Sequence, residues 1–291
     1  MTDWYERAFK ALQLAGYAET SQQGYLRAIR MLVDHTGKDP DLVGEEDLQD
    51  YFLHRKNVDH WAPATMRICY SSLRFFFTKV LRREWATFNY LGAQREKKLP
   101  SVLSQEEVRR VLAQVHTNHN RAFLTTVYAC GLRLREALHL EIGDIDSSRM
   151  LIHIHRGKGA KDRFVPLPVV LLSILRAHWS THRHPAMLFP ASGRGQQANV
   201  AQATSPMAVT TVQGALRDAL QRAGINKKNV SIHTLRHTYA THLLDQGVNI
   251  RLIQRYLGHA NIETTMVYLH LTQRGQEDAL VRINALMGDL Q

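Results

Sequence analysis

The sequence predicts a mainly α (α+β) protein, with a helical N-terminal domain followed by a mostly helical second domain that carries a few short strands. Three observations predict it. Apolar residues recur at helical spacing through residues 1–90. An aperiodic basic stretch, LGAQREKKLPSVL, follows. Beyond it Ser104-Gln-Glu-Glu107 has the form of a capping box and opens a second series of helical runs, interrupted by short alternating ones. With 291 residues, 44% of them hydrophobic and 22% charged, the chain has enough apolar material for two cores and does not read as a disordered basic tail.

The elements follow in order. Breaks at Gly16, between Gly37 and Gly44, and near Pro63 divide the first domain, residues 1–90, into helices over 2–14, 20–36, 45–55 and 63–83. The acidic cluster Asp39, Asp41, Glu45, Glu46, Asp47 and Asp50 flanks a helix start, where negative charge is favourable. In the fourth helix Met66, Cys69, Tyr70, Leu73, Phe77 and Val80 form one apolar stripe, and Arg67, Ser71, Arg74, Thr78 and Arg82 fall on another face. Such a helix suits a phosphate backbone, although a solvated face explains it as well. Residues 91–103 read as a linker whose Arg95, Lys97 and Lys98 are further candidate DNA contacts. The second domain, 104–291, predicts helices over 104–116, 119–130, 134–140, 168–181, 207–223, 234–246, 249–257, 261–269 and 276–287. Strands are expected near 142–146, 150–155 and 163–166, and a polar loop over 191–206.

Lys and Arg number 37 against 26 Asp and Glu, a formal charge of +11, which favours a polyanionic partner. The excess is uneven: residues 1–53 carry 5 basic and 10 acidic groups, whereas residues 54–98 carry 10 and 3. Two cysteines, Cys69 and Cys130, cannot make a disulfide framework. No apolar run approaches about 18 residues, and the charged first segment is unlike a signal peptide, so a soluble cytoplasmic protein with no membrane association is expected.

Five short segments place cations or proton-transfer groups where phosphodiester chemistry could use them. They are Gly131-Leu-Arg133-Leu-Arg-Glu136, Gly157-Lys158-Gly159 with Lys161 and Arg163 after it, His233-Thr-Leu-Arg236-His237, Leu257-Gly-His259, and Tyr268 nine residues beyond His259. Singly each has a plainer explanation: Arg133 as ion-pair partner of Glu136, Lys158 as a solvated turn lysine, His233 as a helix cap, Tyr268 as a core aromatic. Their joint order and spacing is far more specific.

The phrases GLRLREALHL, GKGAKDRFVPL, HTLRHTYATHLL and LGHANIETTMVY resemble the motif boxes of the tyrosine recombinase, or phage-type integrase, family. The resemblance covers essentially the whole chain. It implies a helical core-binding domain, a catalytic domain with a small antiparallel sheet, and a site-specific recombinase that breaks and rejoins DNA through a 3′-phosphotyrosine link without metal, ATP or cofactor. Carried over by position, it makes Tyr268 the nucleophile, Arg133 and Arg236 the phosphate clamp, and Lys158 the general acid. His233 and His259 complete the site, and Glu136 supports it.

The residue types fit that chemistry. Two guanidiniums offer permanent charge to the non-bridging oxygens, where in-line attack concentrates charge. Tyr268 must lose a proton; the surrounding cations are expected to favour the phenolate, with His233 as acceptor. His237 and His242, on the same helix as Arg236, read as packing groups or as supports behind the site, not as chemistry. Arg251 and Arg255, four apart on one helix, are candidate phosphate contacts, as are Lys161 and Arg163.

The competing readings are weaker. His153-x-His155 and the group His178, His182 and His184 lack the Cys or carboxylate spacing of a zinc site. A two-ion nuclease would need clustered carboxylates, for which Glu136, Asp144 and Asp146 are the best available. A non-catalytic architectural DNA binder would need no nucleophile, and a type IB topoisomerase would act as a monomer on any sequence. The stripe Ala279, Leu280, Ile283, Leu286 and Met287 resembles the family's terminal exchange helix, so partners are expected to be duplex DNA bearing a specific core site and further copies of the chain in a tetrameric synapse. With about 100 residues before the catalytic domain, a two-domain recombinase of the Xer or mobile-element type is expected, closing as a clamp on a duplex.

Overall fold

A computed structural model of the chain describes residues 3–90, 99–155, 162–192 and 200–271. It forms two compact units, residues 1–98 and 99–291. The first unit is a helical bundle. Helices α1 (Asp3–Leu14), α2 (Glu19–Thr36), α3 (Glu45–Asn57) and α4 (Pro63–Phe75) bury Trp4, Leu12, Ile29, Leu32, Tyr51 and Leu73 in one core, and a short α5 (Thr87–Tyr90) closes it. Each fully buried Leu or Phe contributes about 1.5–3 kcal/mol by leaving water. The acidic cluster does flank a helix start: Asp47, in the first turn of α3, accepts the Gly44 N–H at 2.9 Å.

The fourth helix is shorter than the periodicity predicts. After Phe75 the chain widens into a π-turn over Phe76–Val80, so that both Phe76 and Phe77 are buried, and the Leu81 N–H bonds the Phe76 carbonyl at 3.1 Å. Arg82 then adopts a left-handed φ of 55° outside the helix, while Arg67 and Arg74 lie exposed on it.

In the second unit the Ser104 capping box forms as read. Its hydroxyl accepts the Glu107 N–H at 3.1 Å, and its own N–H donates to Glu107 at 2.7 Å, starting α6 (Gln105–Ala113). Then come α7 (Asn118–Cys130), α8 (Leu134–Leu138), and an antiparallel three-stranded sheet in the order β1 (Ile145–Asp146), β2 (Leu151–Ile154), β3 (Arg163–Pro166). The first strand is shorter than predicted because residues 142–144 form a 3₁₀ turn, held by Asp144 accepting the Glu141 N–H at 2.8 Å.

Helices α9 (Val169–His182), α10 (Val209–Arg222), α11 (Ile232–Asp245) and α12 (Ile250–Leu257) follow, then α13 (Glu263–Met266) and a 3₁₀ turn, Val267–Leu271, where one helix over 261–269 was expected. Helix α7 runs through the middle, packed against α9 and α11 with Phe123, Leu124 and Val127 fully buried. The 276–287 helix, residues 193–199 of the 191–206 loop, and Arg95, Lys97, Lys98, Lys158 and Lys161 lie outside the described residues. No described helix is long and apolar enough to cross a membrane.

Candidate active site

The site is assembled from helix ends. Helix α7 stops at Gly131, which takes φ 60°, and a Cβ there would collide with the Tyr239 ring. Two residues later Arg133 caps α8; Glu136, three residues on, accepts the Arg133 N–H at 2.8 Å and pairs with its Nη1 at 2.6 Å. Arg133 Nη2 donates to the Gly258 carbonyl at 3.1 Å, at the left-handed end of α12.

Arg236, from the first turns of α11, is 1% exposed. It donates to the carbonyls of Gly131 at 2.6 Å and Leu257 at 2.5 Å, so both grips are neutral backbone. Its nearest carboxylate, Glu136, stands at 3.9 Å, and its buried Nε has no partner among the described residues. Burial and the neighbouring Arg133 bring Arg236 down to about 9, which still leaves it cationic at neutral pH.

Arg163 departs from the expectation. Instead of facing DNA it is 9% exposed, with both Nη atoms on Glu136 at 3.0 and 2.7 Å and Nε on the Tyr256 carbonyl at 2.8 Å. Burial alone would raise the Glu136 carboxyl, but the hydrogen bonds and charge of Arg163, with those of Arg133, hold it down at about 2. Glu136 therefore ties β3 to α8.

Tyr268 lies in the 3₁₀ turn after α13, 1% exposed, its ring stacked over that of His259 at 6.4 Å between centroids. Its hydroxyl is 2.9 Å from His237 Nδ1. The partner of the phenol is thus His237, which the sequence reading placed behind the site or in its packing and not in the chemistry, and not His233. A signal for it existed: His233 and His237 are four apart on α11 and share a face, with ring centroids 4.5 Å apart. The phenolate expectation also changes. Burial raises the Tyr268 hydroxyl above its ordinary 10 and outweighs the opposing charges of Arg236 and Arg133.

The imidazoles are neutral. Burial, then the charges of Arg236 and Arg133, lowers His259 to about 3, and the same causes lower His233. Burial, then His233 and Arg236, takes His237 to about 4. His259 Nδ1 lies 2.9 Å from Thr265 Oγ1. The structure therefore brings together Arg133, Glu136, His233, Arg236, His259 and Tyr268, adds His237 and Arg163, and leaves Arg251 and Arg255 exposed on α12.

Such an arrangement, a tyrosine hydroxyl on an imidazole within the field of two anchored guanidiniums, is that of a tyrosine site-specific recombinase, and comparison with known proteins agrees. Residues 101–274 match the model of the phage integrase family, and residues 4–87 that of the phage integrase N-terminal SAM-like domain. The chain is 38% identical over 272 residues to y4qK of Sinorhizobium fredii, covering 93% of this chain and 85% of that one. It is 30% identical over 304 residues to an integrase/recombinase of Escherichia coli, covering 93% and 90%. Its fold resembles the crystal structure of XerH site-specific recombinase bound to a palindromic difH substrate, with a TM-score of 0.71, 21% identity, and coverage of 93% and 82%. This chain belongs to the phage integrase family.

Proposed function

We infer that the chain cleaves and rejoins DNA at a specific core site through Tyr268. The observation that carries this reading is the buried Tyr268 hydroxyl, 2.9 Å from an imidazole and within the field of Arg133 and Arg236. In cleavage the Tyr268 oxygen bonds to the scissile phosphorus while the bond to the 5′ oxygen breaks. The phenol proton passes to His237, and the leaving 5′ oxygen takes a proton from Lys158. The 3′-phosphotyrosine conserves the bond, so a second 5′-hydroxyl can reverse the step on a new strand without ATP.

Substrate binding turns the base on. In the free protein His237 is too weak a base, because burial first, then the neighbouring His233 and the charge of Arg236, depress it. A phosphodiester between the guanidiniums offsets the charge of Arg236 and so raises the imidazole from that depressed value, while burial, the larger cause, remains. Proton abstraction is thereby coupled to the presence of DNA.

Exposed Arg67 and Arg74 on α4 and Arg251 and Arg255 on α12 serve in this reading as phosphate contacts. Residues 1–90 act as the core-binding domain, 91–103 as linker and 104–291 as the catalytic domain. Four copies form the synapse through residues 276–291, in the cytoplasm where the DNA lies; crosslinking on DNA with and without that segment tests this.

The experiment on the chemistry is to trap covalent adducts on genomic DNA, denature them, and sequence the DNA attached to the protein. The expected result is one recurrent site with protein on its 3′ end, lost in Tyr268→Phe while DNA binding persists. Adducts scattered over all sequences would favour relaxation over recombination, and an adduct surviving Tyr268→Phe would remove the nucleophile assignment.

A further inference from the structure

We propose that the chain binds a divalent transition-metal ion of the zinc kind at the edge of its β-sheet, through Asp144, His153 and His155. Sequence spacing gives this histidine pair no carboxylate; strand pairing supplies two. Ile145 pairs with Ile152, so one step further Asp144 comes opposite His153. Ile154 pairs with Arg163, so one step further His155 meets Asp162. Opposed residues share a face, and so do residues two apart on a strand. All four side chains therefore stand on one side of the sheet.

The side chains converge. One ligand atom each from Asp144, His153 and His155 lies within 4.8 Å of the others. His155 Nε2 is 2.7 Å from Asp144 Oδ1, and the two imidazole rings are 3.8 Å apart between centroids. Bonds of about 2.0–2.2 Å to a tetrahedral ion put ligand atoms roughly 3.4 Å apart, so the ion needs movements of about 1 Å. Asp144 is fixed for the role: it is buried, and its Oδ2 accepts the Glu141 N–H at 2.8 Å, which leaves Oδ1 toward the histidines. Asp162 Oδ2 lies 3.6 Å from His155 Nδ1 and 3.3 Å from His153 Nε2. For His155, whose Nε2 faces Asp144, this is the ring nitrogen away from the ion, and a shift of about 0.5 Å would let the carboxylate hydrogen-bond to it, as one that orients a metal-bound imidazole does. Phe164 stacks on His153 at 4.6 Å and walls one side. Two imidazoles and one carboxylate are a borderline donor set, suited to zinc, cobalt or nickel over magnesium or calcium.

The ion's role is structural and stands apart from the recombination chemistry. It fastens the 3₁₀ turn before β1 to the end of β2, and through Asp162 to the start of β3. Lys158 lies in sequence between His155 and Asp162, so both flanks of the proposed general acid are held.

The test uses the full-length, tag-free chain, titrated with Co²⁺ followed by visible absorption and with Zn²⁺ followed by calorimetry. One equivalent should bind, with the ligand-field spectrum of four-coordinate cobalt. His155→Ala, at an exposed position and checked for folding by circular dichroism, should weaken binding more than tenfold, since even outer-shell changes cost about 10–100-fold; Asp144→Asn should do likewise. Absence of saturable binding, or His155→Ala binding as tightly as the native chain, would overturn the proposal; in the latter case the ion sits elsewhere, as on His178, His182 and His184. Adduct formation by Tyr268 in chelator is read separately, so failure here leaves the recombinase reading untouched.

Discussion

Glu136 faces three guanidiniums, and its replacement separates two roles. Glu136→Gln leaves Arg163 buried without its counter-charge, a loss of about 3–5 kcal/mol in comparable buried pairs. The native carboxyl sits at about 2, below the roughly 4.3 of an unfolded glutamate. Its contribution is therefore complete above pH ~4.5 and is lost as pH falls toward 2. The gap between the urea midpoints of the native chain and Glu136→Gln should therefore be smaller at pH 3 than at pH 6, without closing at pH 3. His237→Ala addresses chemistry instead. Single-turnover cleavage should slow by about 10²–10⁴ with DNA affinity unchanged, whereas an unaltered rate would return the base role to His233. At this scale most of the site was legible in the sequence, because its residues sit in short motifs beside helix starts and ends. Arg163 was not: as a basic residue beside a lysine-bearing turn it looks solvent-facing, and only the fold brings Glu136 to it from 27 positions away. The protonation of Tyr268 was equally hidden, since neighbouring charge can be read from sequence but the burial that outweighs it cannot.

At the level of elements, helix boundaries do the positioning. Gly131→Ala should destabilise by at least about 1–2 kcal/mol from its left-handed φ alone, and the clash with Tyr239 adds to that. It should also lower cleavage, because the Gly131 carbonyl holds Arg236. Chemical denaturation and adduct yield check the two effects separately. Ser104→Ala, which removes only a cap, should cost about 1 kcal/mol and leave cleavage intact. Two of the elements that departed from expectation share a cause. The π-turn after α4 and the 3₁₀ turn over 267–271 are changes of helical pitch, and apolar periodicity is nearly the same on either side of such a change.

For the molecule as a whole, charge sets two dependences on conditions. With +11 formal charge, DNA affinity should fall steeply with salt, by about 10³–10⁵ between 50 and 200 mM if six to ten phosphates are contacted; binding isotherms at several ionic strengths give the slope. Acid should unfold the catalytic unit early. Burial first, and neighbouring histidines second, lower His119 and His178 to about 4, below the roughly 6.5 of an unfolded histidine, and the buried Nε2 atoms of both have no partner among the described residues. An unfolded chain binds those protons first, so stability is full above pH ~6.5 and declines as pH falls toward 4; melting temperature against pH measures it. One feature of the site reaches furthest. The two carbonyls that grip Arg236 belong to the ends of α7 and α12, so two negative helix poles orient the cation without cancelling it. In water, dipoles must turn to meet each new charge, and that turning is much of a reaction's barrier. Here the dipoles are backbone, fixed when the chain folds, so the electrostatic reorganisation that the transferring phosphate would otherwise demand has been completed before DNA arrives.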